Sequence, residues 1–186
     1  MLEKLQLYSQ LALSNFICPF LEPSNVVEEP RFTTPVHRLR SYSSMSQVKI
    51  VEVGPRDGLQ NISKIVPTKI KIELIERLAN ARLSVIEATS FVFPKWIPQL
   101  ADGKQVLEGI RPLLSPTLAG IQFPVLVPNL KGLEAALCSG AKEVAVFVSA
   151  TEGFSKKNIN CTVEESLGRV REITDRARSL GIRVRG

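Results

Sequence analysis

Histidine is nearly missing from this chain: His37 is the one example in 186 residues. A histidine-based metal cluster therefore cannot be built from this chain alone. Cysteine is scarce too. Cys18, Cys138 and Cys161 are odd in number, and their spacing matches neither a disulfide framework nor a zinc site. That usage suits a reducing compartment, with each thiol acting as a small buried hydrophobe. No run approaches the ~20 apolar residues of a membrane span. The nearest, "LALSNFICPFLEP", is broken by polar residues and Pro19, so no membrane span is expected. Walker and glycine-rich dinucleotide fingerprints are missing, which removes the common nucleotide folds. Acid is outnumbered by base, for a formal charge of +6. This favours an anionic ligand such as a phosphate or a carboxylate. The basic residues are scattered, with no aromatic-interleaved stripe, so no nucleic-acid partner is expected.

What is present suffices for one folded domain. Hydrophobic residues make up 44% and charged residues 23%, with a mean hydropathy of +0.08, enough apolar content for a real core. Residues 1–47 read differently from the rest. Pro19, Pro23, Pro30 and Pro35 interrupt them, and only "LEKLQLYSQLAL" has the spacing of a short amphipathic helix. "RFTTPVHRLRSYSSMSQ" has Arg, Ser and Thr but no acid, the composition of a transit-peptide end. Glu3, Glu22, Glu28 and Glu29 upstream run against that reading. Residues 1–47 are thus expected to be a poorly structured extension, serving as an organelle-targeting segment or as disordered chain. The first points to the mitochondrial matrix and the second leaves the cytoplasm.

From Val48 a regular alternation begins. "VKIVEV", "SVIEATSF", "IQFPVLVP" and "KEVAVFVSA" read as strands, and "IRVRG" begins a fifth. Between them, "PTKIKIELIERLANARL", "DGKQVLEGIRPLL", "NLKGLEAALCSG" and "TVEESLGRVREITDRARSLG" read as helices. Thr68 is the expected cap of the first. Thr162 with Glu165 has capping-box spacing at the last. The apolar strands alternate little, as expected when both faces of a sheet are covered. Repeated βα units imply an α/β protein with a parallel sheet. Two architectures fit: an open doubly wound sheet, or about half of a (β/α)8 barrel over residues 48–186.

In either architecture, chemistry sits at the carboxyl ends of the strands. Arg56 and Asp57 follow the first strand there. Glu87 ends the second inside an apolar run, followed by Thr89 and Ser90. Pro128 and Asn129 end the third strand, and Ser149, Thr151 and Glu152 the fourth. Each has an ordinary explanation as well. Asp57–Gly58 fits a turn, Arg56 and Glu87 fit a structural ion pair, and Asn129 fits a helix cap. Their joint placement favours chemistry for Arg56, Asp57 and Glu87. A carboxylate such as Asp57 is a hard ligand suited to Mg2+ or Mn2+. Arg56 offers several N–H donors to an enolate or carboxylate. Glu87 fits a group that orients Arg56 or moves a proton.

Taken in order, "VKIVEVGPRDGLQN", "SVIEATSFVFPKWIPQLAD", "PVLVPNLKGLEAAL", "GAKEV" and "KKNINCTVEESL" resemble the hydroxymethylglutaryl-CoA lyase family over about Val48 to Gly186. "GPRDGLQN" alone points only to the wider superfamily of metal-dependent lyases and Claisen-condensing enzymes. "SFVFPKW" and "KKNINCTVEES" are more specific to the lyase and argue against a related condensing enzyme. The resemblance implies a (β/α)8 barrel that cleaves 3-hydroxy-3-methylglutaryl-CoA, an acyl-CoA, to acetoacetate and acetyl-CoA with Mg2+ or Mn2+. That reaction serves leucine breakdown and ketone-body formation. By resemblance, Arg56 stabilises the enolate of the departing thioester, Asp57 is a metal ligand, Glu87 completes the Asp-Arg-Glu trio, and Gln60 contacts substrate. The family's His-x-His metal pair, asparagine ligand and catalytic cysteine belong to a second half that is not in this sequence. His37 does not replace the pair, and Cys161 reads as structural. The expectation is a chain with little or no lyase activity alone. The alternative is a non-catalytic fragment that forms a homodimer or binds the full-length enzyme.

Overall fold

The computed structural model describes residues 48–114 and 120–186; the extension assigned to residues 1–47 lies outside them. The described strands are β1 (Thr89–Ser90), β2 (Val125–Leu126), β3 (Glu143–Ala145) and β4 (Arg183–Arg185). They form one parallel sheet in the order β1-β2-β3-β4. Thr89 sits opposite Val125, Val125 opposite Val144, and Val144 opposite Val184. These strands are shorter than the apolar runs that carry them. Pro124 and Pro128 interrupt the third run and have no N–H for a ladder. Pairing nonetheless extends beyond the regular strands: Ile86 N donates to Gln122 O at 2.9 Å and Ala88 N to Pro124 O at 3.0 Å.

The first expected strand, 48–53, is reduced to one parallel bridge between Glu52 and Ile86. Glu52 N donates to Val85 O at 2.9 Å, and Glu87 N donates back to Glu52 O at 2.8 Å. Val48 and Ile50 stay exposed, so little apolar burial extends the pairing toward the start of that run.

The helices are α1 (Thr68–Asn80), α2 (Gly103–Ile110), α3 (Leu130–Cys138), α4 (Glu152–Ile159) and α5 (Val163–Ser179). α1, α2, α3 and α5 follow the apolar periodicity. α1 buries Ile75 and Ala79, α2 Val106 and Ile110, α3 Leu133 and Ala136, and α5 Ile173 and Ala177. All of these join one core with Ile86, Ala88, Val125, Val127, Val144 and Val146. Those six sheet residues alternate along their strands, so they share one face of the sheet. Helices on a single face, over strands in unbroken sequential order, are the geometry of a barrel wall. A doubly wound sheet reverses its strand order and carries helices on both faces. The described sheet, with its bridged first strand, accounts for about half of a (β/α)8 barrel.

Helix ends follow local chemistry. Thr162 Oγ1 accepts from Glu165 N at 3.1 Å while Thr162 N donates to Glu165 Oε2 at 2.7 Å, the expected capping box. α5 closes on Gly181, whose φ of +69° suits glycine, and Ile182 N returns to Ala177 O at 2.9 Å. Thr68 does not cap α1. Pro67 holds the cap position, and Thr68 Oγ1 donates to Asp102 Oδ2 at 2.7 Å instead.

Candidate functional site

Immediately after Val53 the chain winds into a wide π-helical turn, Gly54–Gly58. The Val53 carbonyl collects three N–H groups, from Arg56 at 3.1 Å, Asp57 at 2.7 Å and Gly58 at 3.4 Å. Pro55, whose missing N–H is not needed at a helix start, opens the turn. Glu52 Oε1 accepts from Gly54 N at 2.6 Å and pins its entry. The turn throws Arg56 back over the sheet edge and leaves Asp57 facing outward, with its side chain 56% exposed.

Arg56 bridges two carboxylates. Its Nε donates to Glu87 Oε1, and its Nη1 donates to Asp57 Oδ1 at 2.7 Å. Glu87 is 0% exposed, a burial that a carboxylate tolerates only when paired. Its second oxygen, Oε2, accepts from Arg185 Nη2 of β4. Two guanidiniums thus clamp one buried carboxylate, and Asp57 brings the four side chains to charge balance. Among the described residues, Arg56 uses two of its N–H donors and keeps the others. Among the described residues, Asp57 Oδ2 has no hydrogen-bond partner. The arrangement offers a fixed cation with free donors beside an open, hard oxygen ligand.

Arg185 was not singled out from sequence, where it reads as one of the alternating residues of "IRVRG". Its signal is positional: a basic residue two past Arg183 lies on the same strand face, and that face meets Glu87. The other strand-end groups have local roles. Asn129 Oδ1 accepts from Gly132 N at 2.9 Å and caps α3. Thr151 Oγ1 accepts from Phe154 N at 3.4 Å and caps α4. Glu152 accepts from Val163 N at 3.1 and 3.2 Å, at the start of α5. The hydroxyls of Thr89, Ser90 and Ser149 are buried without a partner among the described residues. Gln60 is half-buried beside buried Leu59, with no side-chain hydrogen bond among the described residues. Cys161 is buried, as a structural thiol would be, whereas Cys138 at the end of α3 is exposed, against the expectation of a buried thiol there.

For a divalent cation, Asp57 has the right chemistry as one oxygen ligand. Among the described residues, no three His, Cys, Asp or Glu side chains converge as a metal site. No described helix is long and apolar enough to cross a membrane.

The comparisons with known proteins agree with the fold. Hydroxymethylglutaryl-CoA lyase, mitochondrial, of Bos taurus is 55% identical over 163 residues, covering 84% of this chain and 49% of the relative. The 3-hydroxy-3-methylglutaryl-CoA lyase, cytoplasmic, of Mus musculus is 58% identical over 139 residues, covering 75% of this chain and 39% of the relative. The crystal structure of hydroxymethylglutaryl-CoA lyase from Pseudomonas aeruginosa superposes with a TM-score of 0.69 at 50% identity, covering 75% of this chain and 45% of that one. An HMG-CoA lyase from Acinetobacter baumannii, solved in complex with coenzyme A and 3-methylmalate, gives a TM-score of 0.65 at 38% identity over 72% of this chain and 42% of that one. The chain spans about half the length of these proteins or less. The model of the HMGL-like family matches residues 47–186, and the chain belongs to that family.

Proposed function

We propose that this chain carries the Arg56–Asp57–Glu87 part of a site that cleaves 3-hydroxy-3-methylglutaryl-CoA to acetoacetate and acetyl-CoA. The observation that carries the reading is Arg56, held between Glu87 and Asp57 with N–H donors to spare at the carboxyl edge of a parallel sheet. In this cleavage the tertiary hydroxyl loses its proton and becomes the ketone of acetoacetate. The electron pair of the broken C–C bond moves onto the thioester as an enolate, which takes up a proton to give acetyl-CoA. Arg56 faces the enolate oxygen as it gains charge, the moment at which a preorganised donor matters most. Glu87 positions Arg56. Both of its oxygens are engaged by guanidiniums, which leaves it the part of a positioning group. Gln60 lies on the same turn as a substrate contact. Asp57 would give one oxygen ligand to a divalent cation, Mg2+ or Mn2+, and that cation would supply Lewis acidity toward the substrate's oxygens.

A single carboxylate holds Mg2+ weakly, because that ion keeps most of its waters. We therefore expect little or no turnover from the purified 186-residue chain. The measurement is cleavage of 3-hydroxy-3-methylglutaryl-CoA with saturating Mg2+, and robust turnover overturns this account of the site. We also propose the mitochondrial matrix as the chain's compartment, with the cytoplasm as the alternative; the names of the mitochondrial relatives support the first. Residues 1–47 fused to a fluorescent protein are expected to carry it into mitochondria. A diffuse cytoplasmic signal favours the alternative.

A further inference from the structure

Two loops at the carboxyl edge of the sheet are tied together by one side chain. Gln99 is 3% exposed, in a short helical turn before α2. Its amide satisfies three backbone groups of the loop that follows the Arg56–Asp57 turn. Gln99 Nε2 donates to Ile62 O and Lys64 O, each at 3.0 Å, and Gln99 Oε1 accepts from Val66 N at 2.8 Å. The loop's near end is anchored by Ile62 N to Leu59 O at 3.0 Å, and Leu59 is buried. On the other side, buried Lys71 of α1 donates to the Gln99 carbonyl and, at 2.6 Å, to Asp102 Oδ1. The backbone of Gln99 is therefore fixed independently of its side chain.

Ile62 and Lys64 are exposed and Val66 is half-buried, yet one backbone group of each turns to the buried Gln99 amide, so one side chain holds the loop at three points. An amide is the functional group suited to this task, since it both donates twice and accepts. Leucine fills similar space but leaves all three groups unpaired. Ionised glutamate accepts from Val66 N but presents charge to two carbonyls. Protonated glutamate again donates and accepts.

We propose that Gln99 is a positioning residue: it holds residues 62–66 as a fixed strap, and the strap fixes the Arg56–Asp57 turn. The importance of that turn for ligand rests on the function proposed above; the strap itself does not. The experiment is residue-resolved hydrogen exchange on the full chain, corrected for intrinsic rates. In Gln99→Leu, the amides of Val66, Asp57 and Gly58 are expected to exchange at least tenfold faster, while those of Ile72–Ala79 in α1 keep their protection. In Gln99→Glu, the amides of Asp57 and Gly58 are expected to be protected at low pH and to loosen as the glutamate ionises and repels the Ile62 and Lys64 carbonyls, while Val66 N, from which the carboxylate still accepts, keeps its protection. That reversible pH response is one a mere packing role does not produce. Loosening of Val66 with Asp57 and Gly58 unchanged overturns the proposal, as does a Gln99→Glu profile without pH dependence. If Gln99→Leu loosens the whole chain, the glutamate variant decides alone.

A parallel titration with 3-hydroxy-3-methylglutaryl-CoA and Mg2+ follows the fluorescence of Trp96, the chain's single tryptophan. Binding weakened about tenfold in Gln99→Leu supports positioning, and unchanged binding overturns it. No binding by the unaltered chain counts against the proposed function, and the exchange result then stands on its own.

Discussion

Glu87 shows what one buried charge demands. It lies just before β1, between Ile86 and Ala88, both of which join the helix-side core, while its own side chain meets the opposite surface. Reading it from sequence as an outlier in an apolar run correctly marked it as a paired group, and Arg56 was a natural partner one strand away. Arg185 escaped notice because pairing across a sheet depends on register, and register is not legible in a single strand. Replacing Glu87 by glutamine keeps the shape but leaves two guanidiniums facing one neutral amide. We expect a loss of about 2–3 kcal/mol in urea unfolding. This is below the ~3–5 kcal/mol for breaking fully buried pairs, because Arg185 is one-third exposed. Midpoints unchanged from the unaltered chain overturn this assignment.

Among the elements, α1, α2, α3 and α5 were legible because each repeats its apolar residues at helical spacing, and α3 and α5 also carry side-chain caps from Asn129 and Thr162. α4 was missed. "EGFSKKNI" buries only Ser155 and has no apolar stripe, so its helix rests on the Thr151 cap and on Ser155 Oγ donating to Cys161 O at 2.8 Å. The strands were legible in place but not in length, because proline and exposure trimmed their ends. α5 makes a test at this scale. The Thr162 backbone N–H and hydroxyl hold the Glu165 carboxyl below its ordinary range. A carboxylate with a lowered folded pKa stabilises the fold above its unfolded pKa and loses that contribution as pH falls through the folded value. The Thr162 amide resonance is therefore expected to shift as the solution is acidified past the usual carboxylate range, with the first turn of α5 fraying. Glu165→Gln removes that acid transition. Thr162→Ala costs about 1 kcal/mol in thermal or urea unfolding at neutral pH, as a lost N-cap does. An α5 that frays identically with and without Glu165 contradicts the capping box as its source of acid sensitivity.

At the scale of the whole molecule, the barrel wall was one of two architectures compatible with the sequence. What decided between them was three-dimensional: strand order, and helices confined to one face. Among the described residues, β4 has a strand neighbour on one side only. A sheet edge of this kind offers backbone groups to another edge. We expect the purified chain to self-associate with rising concentration in sedimentation velocity, and a single monomeric species throughout contradicts that expectation. The double clamp on Glu87 bears on the order in which this molecule comes together. Arg56 reaches Glu87 across 31 residues, whereas Arg185 reaches it across 98. Closing the longer loop costs more entropy and waits on more of the chain. During synthesis, Glu87 and Arg56 have left the ribosome long before Arg185 exists, so a nascent chain holds this carboxylate with half its counter-charge. The clamp then acts as a late checkpoint, and sealing it marks the moment at which the first strand positions and β4 belong to one folded unit.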